Sequence, residues 1–472
     1  MPLLPIDING ALFSNVKDVS RNVLAESRRD VLKDFSGSTY QRPGLVEFSS
    51  GMQGGCDGNF YWRSKDRVYS VFGGALYSID QNGVNTQVAS SVGLFNIGTP
   101  VVIKEASRPT RKLFMANGGR IVEFDGTTAQ YLTDPEAPTQ VTHPAILDTY
   151  LIANNLLEPE RVEYSEVADP TSWIGEFVSA EGEPDSLRAI EVGWREITLF
   201  GESTIEHWYN DGVSPFSRLE GSMIQLGTLS PYSIVQADNG WFFLDSSRRI
   251  MKILGRQPQI ISQPVNDVFG SIVDVSDAQG ETITQNGCSL YLIRVGDRTL
   301  AFDYALNEWV SEWGNFSVAQ DKYTRFIGQH FINVEPWNLT LCGDYTGDKL
   351  YSLDFDATQD NGEILRPAWR TGQIDHSTGV EKRSNELKIR LQRGDGTPGG
   401  EEPVMYVRWR DNGSKVWSNY REIHLGFTGD NDMYRSIFML GSYRARQYEF
   451  SCTENVPITM VSVQEDVQLL SR

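Results

Sequence analysis

The sequence predicts an all-β protein: a β-propeller of about seven blades, or six, with an N-terminal arm and a C-terminal antiparallel β-sandwich. Its 472 residues include 43 glycines, 20 prolines and 52 aromatic residues, a composition rich in turn and strand formers. Alternating apolar segments that meet at a Gly, Asn or Asp turn recur along the chain, and this is the strongest hairpin signal in a single sequence. The regular spacing of these turns favours a propeller over other all-β folds.

Seven hairpin turns mark the predicted blades, and successive turns are 45, 36, 46, 46, 49 and 51 residues apart. A period of about 40–50 residues with four short strands per unit is typical of a propeller blade. The short step of 36 residues leaves six blades as the other count. A set of β-sandwiches is the alternative fold, and the regular period makes it the weaker one. The turns lie near Gly74, Gly119, Asn155, Gly201, Ser247, Gly296 and Gly347.

Charge and strand pattern divide the chain into an N-terminal arm (1–45), an acidic propeller (46–365) and a sandwich-like domain (366–472). Residues 51–365 carry 42 acidic and 21 basic side chains, a net charge of −21, whereas both flanks are nearly neutral. Residues 16–24 of the arm fit a short helix, although Val-rich segments are also compatible with a strand. In the C-terminal region, clean alternation predicts strands with one solvated face at 386–391, 404–409 and 448–452.

Several classes of protein are disfavoured by the composition. The net charge of −20 argues against a conventional nucleic-acid-binding protein, which presents a basic face, and against docking on anionic lipid. No apolar run approaches the roughly 20 residues that span a bilayer, and residues 1–7 lack the pattern of a signal peptide. We expect a protein made in the cytosol with four reduced thiols and no disulfide or zinc site; the cysteines are Cys56, Cys288, Cys342 and Cys452.

Motifs that resemble catalytic signatures lack the context that their chemistry needs. Residues 394–399 match a dinucleotide fingerprint, but Pro398 and Gly400 continue a loop where a helix must begin. Glu206-His207 would complete an inverted zinc-protease pattern only if a histidine replaced Ser203. The acidic turns at 354–356 and 430–432 lack the closing Glu of a calcium loop. We therefore predict no catalytic, cofactor-binding or metal-binding residues, no cofactor and no enzymatic activity.

The alternative function is a glycan-binding or glycan-cleaving propeller. A pair of carboxylates in a central pocket can hydrolyse a glycosidic bond, and an acidic ring could supply such a pair. The repeated turn Ser-x-Asp-x-Gly-x-Thr-Trp of sialidase-like propellers is absent from the sequence, and its nearest approach, residues 78–82, departs at the fifth position.

Three stretches carry a family pattern. The first is Asn22-Val23-Leu24-Ala25 leading to Tyr40-Gln41-Arg42-Pro43-Gly44-Leu45, and the second is Ala168-Asp169-Pro170-Thr171-Ser172-Trp173 followed by 180–185. The third and most specific is Leu199-Phe200-Gly201-Glu202-Ser203-Thr204-Ile205-Glu206-His207-Trp208, followed by 215–218, 227–233 and 241–245. Together they resemble the tail-hub protein of short-tailed double-stranded DNA phages, also called the packaged-DNA stabilisation protein or tail accessory factor. The resemblance covers most of residues 20–255, and none of its motifs is catalytic.

The resemblance implies a structural protein of the virion tail, made in the host cytoplasm. In this family six copies form a hub or nozzle ring below the portal and its adaptor ring. The ring extends the DNA channel, retains packaged DNA and carries the tail needle or tip and the tailspikes or fibres. The implied partners are these components, further copies of the chain, and duplex DNA that passes through the lumen without sequence-specific binding.

The acidic region suggests a physical role in such a ring. A channel through which a duplex slides should not hold phosphates, because each Lys or Arg contact releases counterions and adds affinity. We therefore hypothesise that carboxylates of residues 51–365 line the channel. Contacts between copies are expected in the neutral flanks, where like-charge repulsion is smallest, and the aromatic candidates there are Trp369, Trp409 and Trp417.

Overall fold

The structure is a computed structural model that describes residues 3–8, 27–179, 185–212, 215–270, 272–393, 402–427, 430 and 433–470. Within these residues the protein is almost entirely β-structure, with one short α-helix at Asn266–Gly270. Short 3-10 helices occur at Ala89–Ser91, Pro231–Ser233, Gln263–Val265, Val318–Gln320 and Glu335–Trp337. None of the helices in this part of the chain combines the length and apolarity needed to cross a membrane.

Seven four-stranded antiparallel blades in the described residues form a ring, which confirms the predicted propeller and its count of seven. The innermost strand of blade 7 contacts those of blades 1 and 6, so the ring is closed. Each predicted turn lies between the second and third strands of a different blade. The short step of 36 residues therefore separates two complete blades, numbers 2 and 3.

The strands of blades 1 to 3, innermost first, are Cys56–Trp62, Arg67–Phe72, Ala75–Ile79 and Asn85–Gln87; Val102–Ala106, Lys112–Ala116, Val122–Phe124 and Ala129–Tyr131; and Ala145–Leu147, Tyr150–Asn154, Arg161–Glu166 and Asp169–Ser179. Those of blades 4 and 5 are Leu187–Gly193, Glu196–Gly201, Ile205–Tyr209 and Ser217–Arg218; and Val235–Ala237, Gly240–Leu244, Ile250–Leu254 and Gln257–Ile260. Those of blades 6 and 7 are Gln279–Gln285, Cys288–Val295, Arg298–Asp303 and Glu308–Ser317; and Gly328–Val334, Leu339–Asp344, Leu350–Asp354 and Gly44–Ser49.

Blade 7 joins the two ends of the propeller sequence. Its outermost strand, Gly44–Ser49, comes from before blade 1 and runs antiparallel to Leu350–Asp354, with Leu45 opposite Leu353. Both leucines are buried, so the strand is held by packing as well as by backbone hydrogen bonds. The boundary predicted between residues 45 and 46 lies within this strand, and the domain boundaries stay a prediction. Gln359–Asp360 and Glu363–Ile364 extend the same sheet beyond Gly44–Ser49.

Apolar clusters between blades stabilise the ring. Trp62 and Tyr69 of blade 1 pack against Phe124 of blade 2, with ring centroids 5.2–6.0 Å apart. All three side chains are buried, and burying an apolar side chain of this kind stabilises a fold by about 1.5–3 kcal/mol. Each blade is hydrophobic on both faces, so radial stacking supplies the core that one sheet cannot form alone.

Two further sheets pack face to face beyond the propeller. Both contribute to one core, which includes Leu387 and Val463 from the first sheet and Val407 and Phe450 from the second. The first consists of Val31–Lys33, Thr39–Gln41, Ile458–Leu469, Lys382–Arg393 and Met433–Tyr443, with Leu4–Ile6 paired to Ile458–Leu469. The second consists of Ser27–Arg29, Ala368–Arg370, Arg446–Cys452, Val404–Asp411 and Arg421–His424. The predicted strands at 386–391, 404–409 and 448–452 all lie within these sheets.

The described part of the N-terminal arm is integrated into these sheets. Ser27–Arg29 pairs antiparallel with Ala368–Arg370 and parallel with Glu308–Ser317, the outer strand of blade 6. Blade 6 is therefore continuous with the second C-terminal sheet, and Lys322–Arg325 pairs along the same outer strand. Residues 16–24, for which a short helix was one of two predictions, lie outside the described residues.

Candidate functional site at the propeller axis

The axis of the propeller holds a small polar cavity of about 150 Å³. Residues from the inner edges of several blades line it, among them His143, Glu191, Tyr232, Gln279, Glu281 and His330. Typical small-molecule pockets have volumes of about 300–1,000 Å³, whereas this one has room for a few water molecules. The alternative of a glycan-binding or glycan-cleaving propeller stays a prediction, and the size of this cavity gives it no support.

The charged groups at the axis are held by partners from other blades. Lys104 Nζ on the inner strand of blade 2 lies 3.2 Å from Glu191 Oε2 on the inner strand of blade 4. Glu281 Oε1 accepts a hydrogen bond of 2.6 Å from the backbone N–H of His330. Burial raises the pKa of Glu281, and the positive charge of Arg294 opposes that rise. Glu191 therefore links blade 4 to blade 2, two blades away, and Glu281 links blade 6 to the neighbouring blade 7.

The two axial histidines are held in their neutral form. Burial lowers the pKa of His143 to about 3, and burial together with Arg294 and Arg325 lowers that of His330 to about 3. The His143 ring packs 4.9 Å from the Tyr232 ring, and its Nδ1 lies 2.9 Å from Thr142 Oγ1. At neutral pH both rings are therefore uncharged.

The pattern at Glu206-His207 belongs to the interior of blade 4. Both residues are buried on the strand Ile205–Tyr209. Glu206 Oε2 accepts a hydrogen bond of 2.9 Å from Trp208 Nε1, and the His207 ring lies 3.2 Å from Thr198 Oγ1. Across the described ranges, no three His, Cys, Asp or Glu side chains form a group that could hold a metal ion.

The remaining motifs singled out in the sequence have local roles or lie outside the described residues. Asp354 Oδ1 accepts a hydrogen bond of 2.9 Å from the backbone of Asp356, which is a turn contact. The fingerprint-like segment 394–399 and positions 431–432 are not among the described residues. All four cysteines are free and buried, and burial raises the pKa of each thiol.

Several aspartates of the acidic region cap the hairpin turns of the blades, a role that was not predicted from the sequence. Asp80 Oδ1 accepts from the backbone of Asn82 and Val84 at 2.9 and 3.0 Å. Asp125 Oδ1 accepts from Thr127 and Thr128, both at 2.8 Å, and these hydrogen bonds lower its pKa. An Asp placed two to four residues before the end of a tight turn is the signal that could have identified these caps. Part of the acidic excess is therefore structural.

The three C-terminal tryptophans occupy different environments. Trp369 is buried and donates a hydrogen bond of 2.7 Å to Thr39 Oγ1, so it belongs to the core. Trp409 is partly buried against the same core. The Trp417 ring lies 4.4–5.3 Å from three guanidinium groups, those of Arg370, Arg408 and Arg410.

A family model relates this architecture to known proteins. The model described as "Bacteriophage P22 Gp10, beta-propeller" matches residues 6–358. The chain belongs to this phage family. It is a structural protein of the phage tail and assembles with other virion components, as the resemblance in the sequence predicted.

Comparisons with curated sequences and solved structures add no further assignment. No curated protein sequence matches the chain. The extracellular domain of BT4673 from B. thetaiotaomicron is similar at 10% identity and a TM-score of 0.44, over 77% of this chain and 45% of that one. Dihydro-heme d1 dehydrogenase NirN is similar at 10% identity and a TM-score of 0.42, over 70% of this chain and 74% of that one. The N-terminal domain of Nup159 is similar at 9% identity and a TM-score of 0.39, over 70% of this chain and 99% of that one.

Proposed function

We propose that this protein is a tail hub or nozzle ring that extends the DNA channel below the portal and adaptor. In this proposal six copies form the ring, retain packaged DNA and carry the tail needle or tip and the tailspikes or fibres. The protein is made in the host cytoplasm, acts in the virion tail and catalyses no reaction. The observation that carries the proposal is the family match over residues 6–358.

The geometry of the propeller constrains where DNA would pass. The axial cavity of about 150 Å³ is lined in part by Glu191, which forms an ion pair with Lys104 of blade 2. It cannot admit a duplex, whose major groove alone is about 12 Å wide. In this proposal the channel lies between copies of the chain, bounded by the outer surfaces of the propellers or of the C-terminal sheets.

The charge of the propeller suits a surface along which DNA slides. Residues 51–365 carry a net charge of −21, and turn capping accounts for only part of their acidic side chains. Carboxylates that face the lumen would repel phosphates and prevent the counterion release that makes basic surfaces adhere to DNA. We expect the purified protein to show no measurable affinity for duplex DNA at physiological salt.

One edge of the C-terminal sheets offers a contact between copies. Met433–Tyr443 is the edge strand of the first sheet and exposes Phe438 and Met439, whose side chains are 57% and 82% accessible. Exposed apolar residues on an edge strand are unusual in a soluble monomer, because such edges pair with other chains. This edge lies in the nearly neutral C-terminal region, where the charge distribution of the sequence predicts contacts between copies.

The proposal is tested by assembly of the purified chain with the phage portal–adaptor complex. Mass photometry and electron microscopy should detect a ring of this chain on the complex, and Phe438→Glu should weaken ring formation. Val273→Glu is the matched control, because Val273 is 90% accessible on the propeller. A chain that does not bind the portal–adaptor complex would overturn the proposal, and normal assembly of Phe438→Glu would exclude this edge as the contact.

A further inference from the structure

Two arginines meet on one neutral side chain where blade 6 joins blade 7. Arg294 lies on the second strand of blade 6, and Arg325 ends the short strand that pairs with the outer strand of the same blade. Both donate a hydrogen bond to Gln329 Oε1 on the innermost strand of blade 7, Arg294 through Nη1 and Arg325 through Nη2 at 2.9 Å. We call Arg294 and Arg325 the arginine pair.

The orientation of the shared amide is set by a third blade. Gln329 Nε2 donates a hydrogen bond to the backbone oxygen of Cys56, on the innermost strand of blade 1. Because the amide nitrogen needs this acceptor, the hydrogen-bond network assigns the amide oxygen to the side of the arginine pair. Two positive charges therefore share one uncharged oxygen.

The carboxylates around the arginine pair act only from a distance. In the described part of the chain, neither guanidinium group has a carboxylate oxygen within 4.0 Å. Glu281, Asp277 and Asp297 attract the pair electrostatically from farther away. Asp277 and Asp297 are exposed, so solvent screens their charge, and Glu281 accepts a hydrogen bond from the backbone N–H of His330. The positive charge of the pair thus lacks a direct counter-charge among these residues.

Burial makes this arrangement costly. The side chains of Arg294 and Gln329 belong to residues that are only 8% and 6% accessible. Burial and the nearby charge of Arg325 lower the pKa of Arg294 to about 10, so Arg294 is a cation at neutral pH. The buried Nε–H of Arg325 finds no acceptor among the described residues. Buried charges in proteins are normally paired, and buried N–H groups normally have an acceptor.

The guanidinium group of Arg325 is held in place by stacking. Its Cζ lies 4.0 Å from the centroid of the Tyr345 ring. A stacked guanidinium group loses little conformational freedom when it gains an acceptor, because it is already ordered. The pair therefore forms a rigid group of donors with unused capacity.

We propose that the arginine pair binds a small monovalent inorganic anion, of the size of chloride, beside Gln329. Such an ion accepts charge-assisted hydrogen bonds from both guanidinium groups and offsets the repulsion between them. The low accessibility of Arg294 and Gln329 favours a small ion over a side chain of another molecule. The bound ion links blade 6 to blade 7, and the proposal does not depend on the ring of copies.

The first test measures chloride binding to the full-length protein by the line width of the chloride NMR signal. Arg325→Gln should weaken chloride binding about tenfold, the loss of one hydrogen bond to a charged group. Arg63→Gln is the matched control, because the Arg63 side chain is 77% accessible and its one ion pair is 3.9 Å long. Chloride binding to Arg63→Gln should equal that of the wild type.

The second test locates the ion in wild-type crystals grown in bromide, whose anomalous scattering distinguishes it from water. We expect a bromide peak between Arg294 and Arg325, and this measurement holds even if Arg325→Gln does not fold. Equal chloride line widths for wild type, Arg325→Gln and Arg63→Gln would overturn the proposal. A water molecule without an anomalous peak between the two guanidinium groups would also overturn it, because solvent would then satisfy the Nε–H of Arg325.

Discussion

Arg42 Nη2 and Asp360 Oδ2 lie 2.6 Å apart in the interior, although 318 residues separate them in the sequence. Arg42 also donates a hydrogen bond of 2.7 Å to Asp30 Oδ1, and none of the three side chains is accessible to solvent. The guanidinium packs 4.7 Å from the Phe326 ring and 5.4 Å from the Trp313 ring. This triad joins the N-terminal segment, blade 6 and the hairpin after blade 7.

The Arg42–Asp360 pair predicts a large effect of Asp360→Asn. The substitution replaces one carboxylate oxygen that accepts a hydrogen bond from Arg42 with an amide NH2, while Asp30 remains as a counter-charge. Because one buried hydrogen bond to a charged group is lost, we expect the free energy of unfolding to fall by about 2 kcal/mol. Urea denaturation, monitored by tryptophan fluorescence, measures this change in the free energy of unfolding. Glu335→Gln is the control, because the Arg63–Glu335 pair is 3.9 Å long and exposed, so its loss should cost under about 0.5 kcal/mol. Equal effects of the two substitutions would contradict the assignment.

Because the strand Gly44–Ser49 closes blade 7, substitutions at its buried and exposed positions should differ in their effect on the free energy of unfolding. Leu45 is buried, whereas Val46 is 41% accessible. Leu45→Ala should lower the free energy of unfolding by about 3 kcal/mol, as expected for a buried leucine, and Val46→Ala should change it little. Thermal unfolding of the two variants measures the difference. Similar melting temperatures would show that the strand does not close the blade as described.

His143 predicts a loss of stability in mild acid. Its pKa is about 3 in the folded protein and about 6.5 when unfolded, so the unfolded chain binds a proton between these values and the folded chain does not. Between pH 7 and pH 5 the free energy of unfolding should fall by about 2 kcal/mol on account of this residue. The measurement compares wild type with His143→Gln at both pH values. The same pH dependence in both proteins would refute the explanation.

The environment of Glu465 in the C-terminal sheets predicts a second loss of stability, at lower pH. Burial would raise its pKa, but hydrogen bonds that include those from Tyr443 and Tyr448, both 2.7 Å, outweigh burial and lower it. A carboxyl group whose pKa is lowered by folding stabilises the folded state at pH values above its ordinary pKa. This stabilisation is lost as the pH falls from the ordinary pKa through the pKa of the folded state. Glu465→Gln should remove about 2 kcal/mol at pH 7, and its stability should depend less on pH below 5 than that of wild type. An unchanged acid transition in the variant would contradict this role.

The periodic features of the fold were accessible from the sequence. Turns at Gly74, Gly119 and the five later markers identified seven blades because each hairpin repeats the same local pattern of alternation and turn. The alternation at 404–409 and 448–452 likewise predicted strands of the C-terminal sheets. Local patterns of this kind depend only on neighbours in the chain.

The remaining features depend on contacts between distant residues. No pattern around Arg42 indicates that Asp360 will neutralise it, and nothing near Gly44–Ser49 assigns that strand to blade 7. A cavity between blade 6 and the second C-terminal sheet was missed for the same reason, because the basic residues that line it, among them Arg29, Lys322 and Arg370, come from three separate parts of the sequence. The nearly neutral balance of residues 366–472, with fifteen basic and fourteen acidic side chains, also gave no indication of a local basic cluster.

The most direct test of the central claim is a cryo-electron microscopy reconstruction of the phage tail. We predict six copies of this chain in a ring below the portal and adaptor, with propeller carboxylates facing the lumen and no DNA along the axis of any propeller. A tail that lacks such a ring, or a lumen lined by lysine and arginine with the carboxylates turned outward, would contradict it.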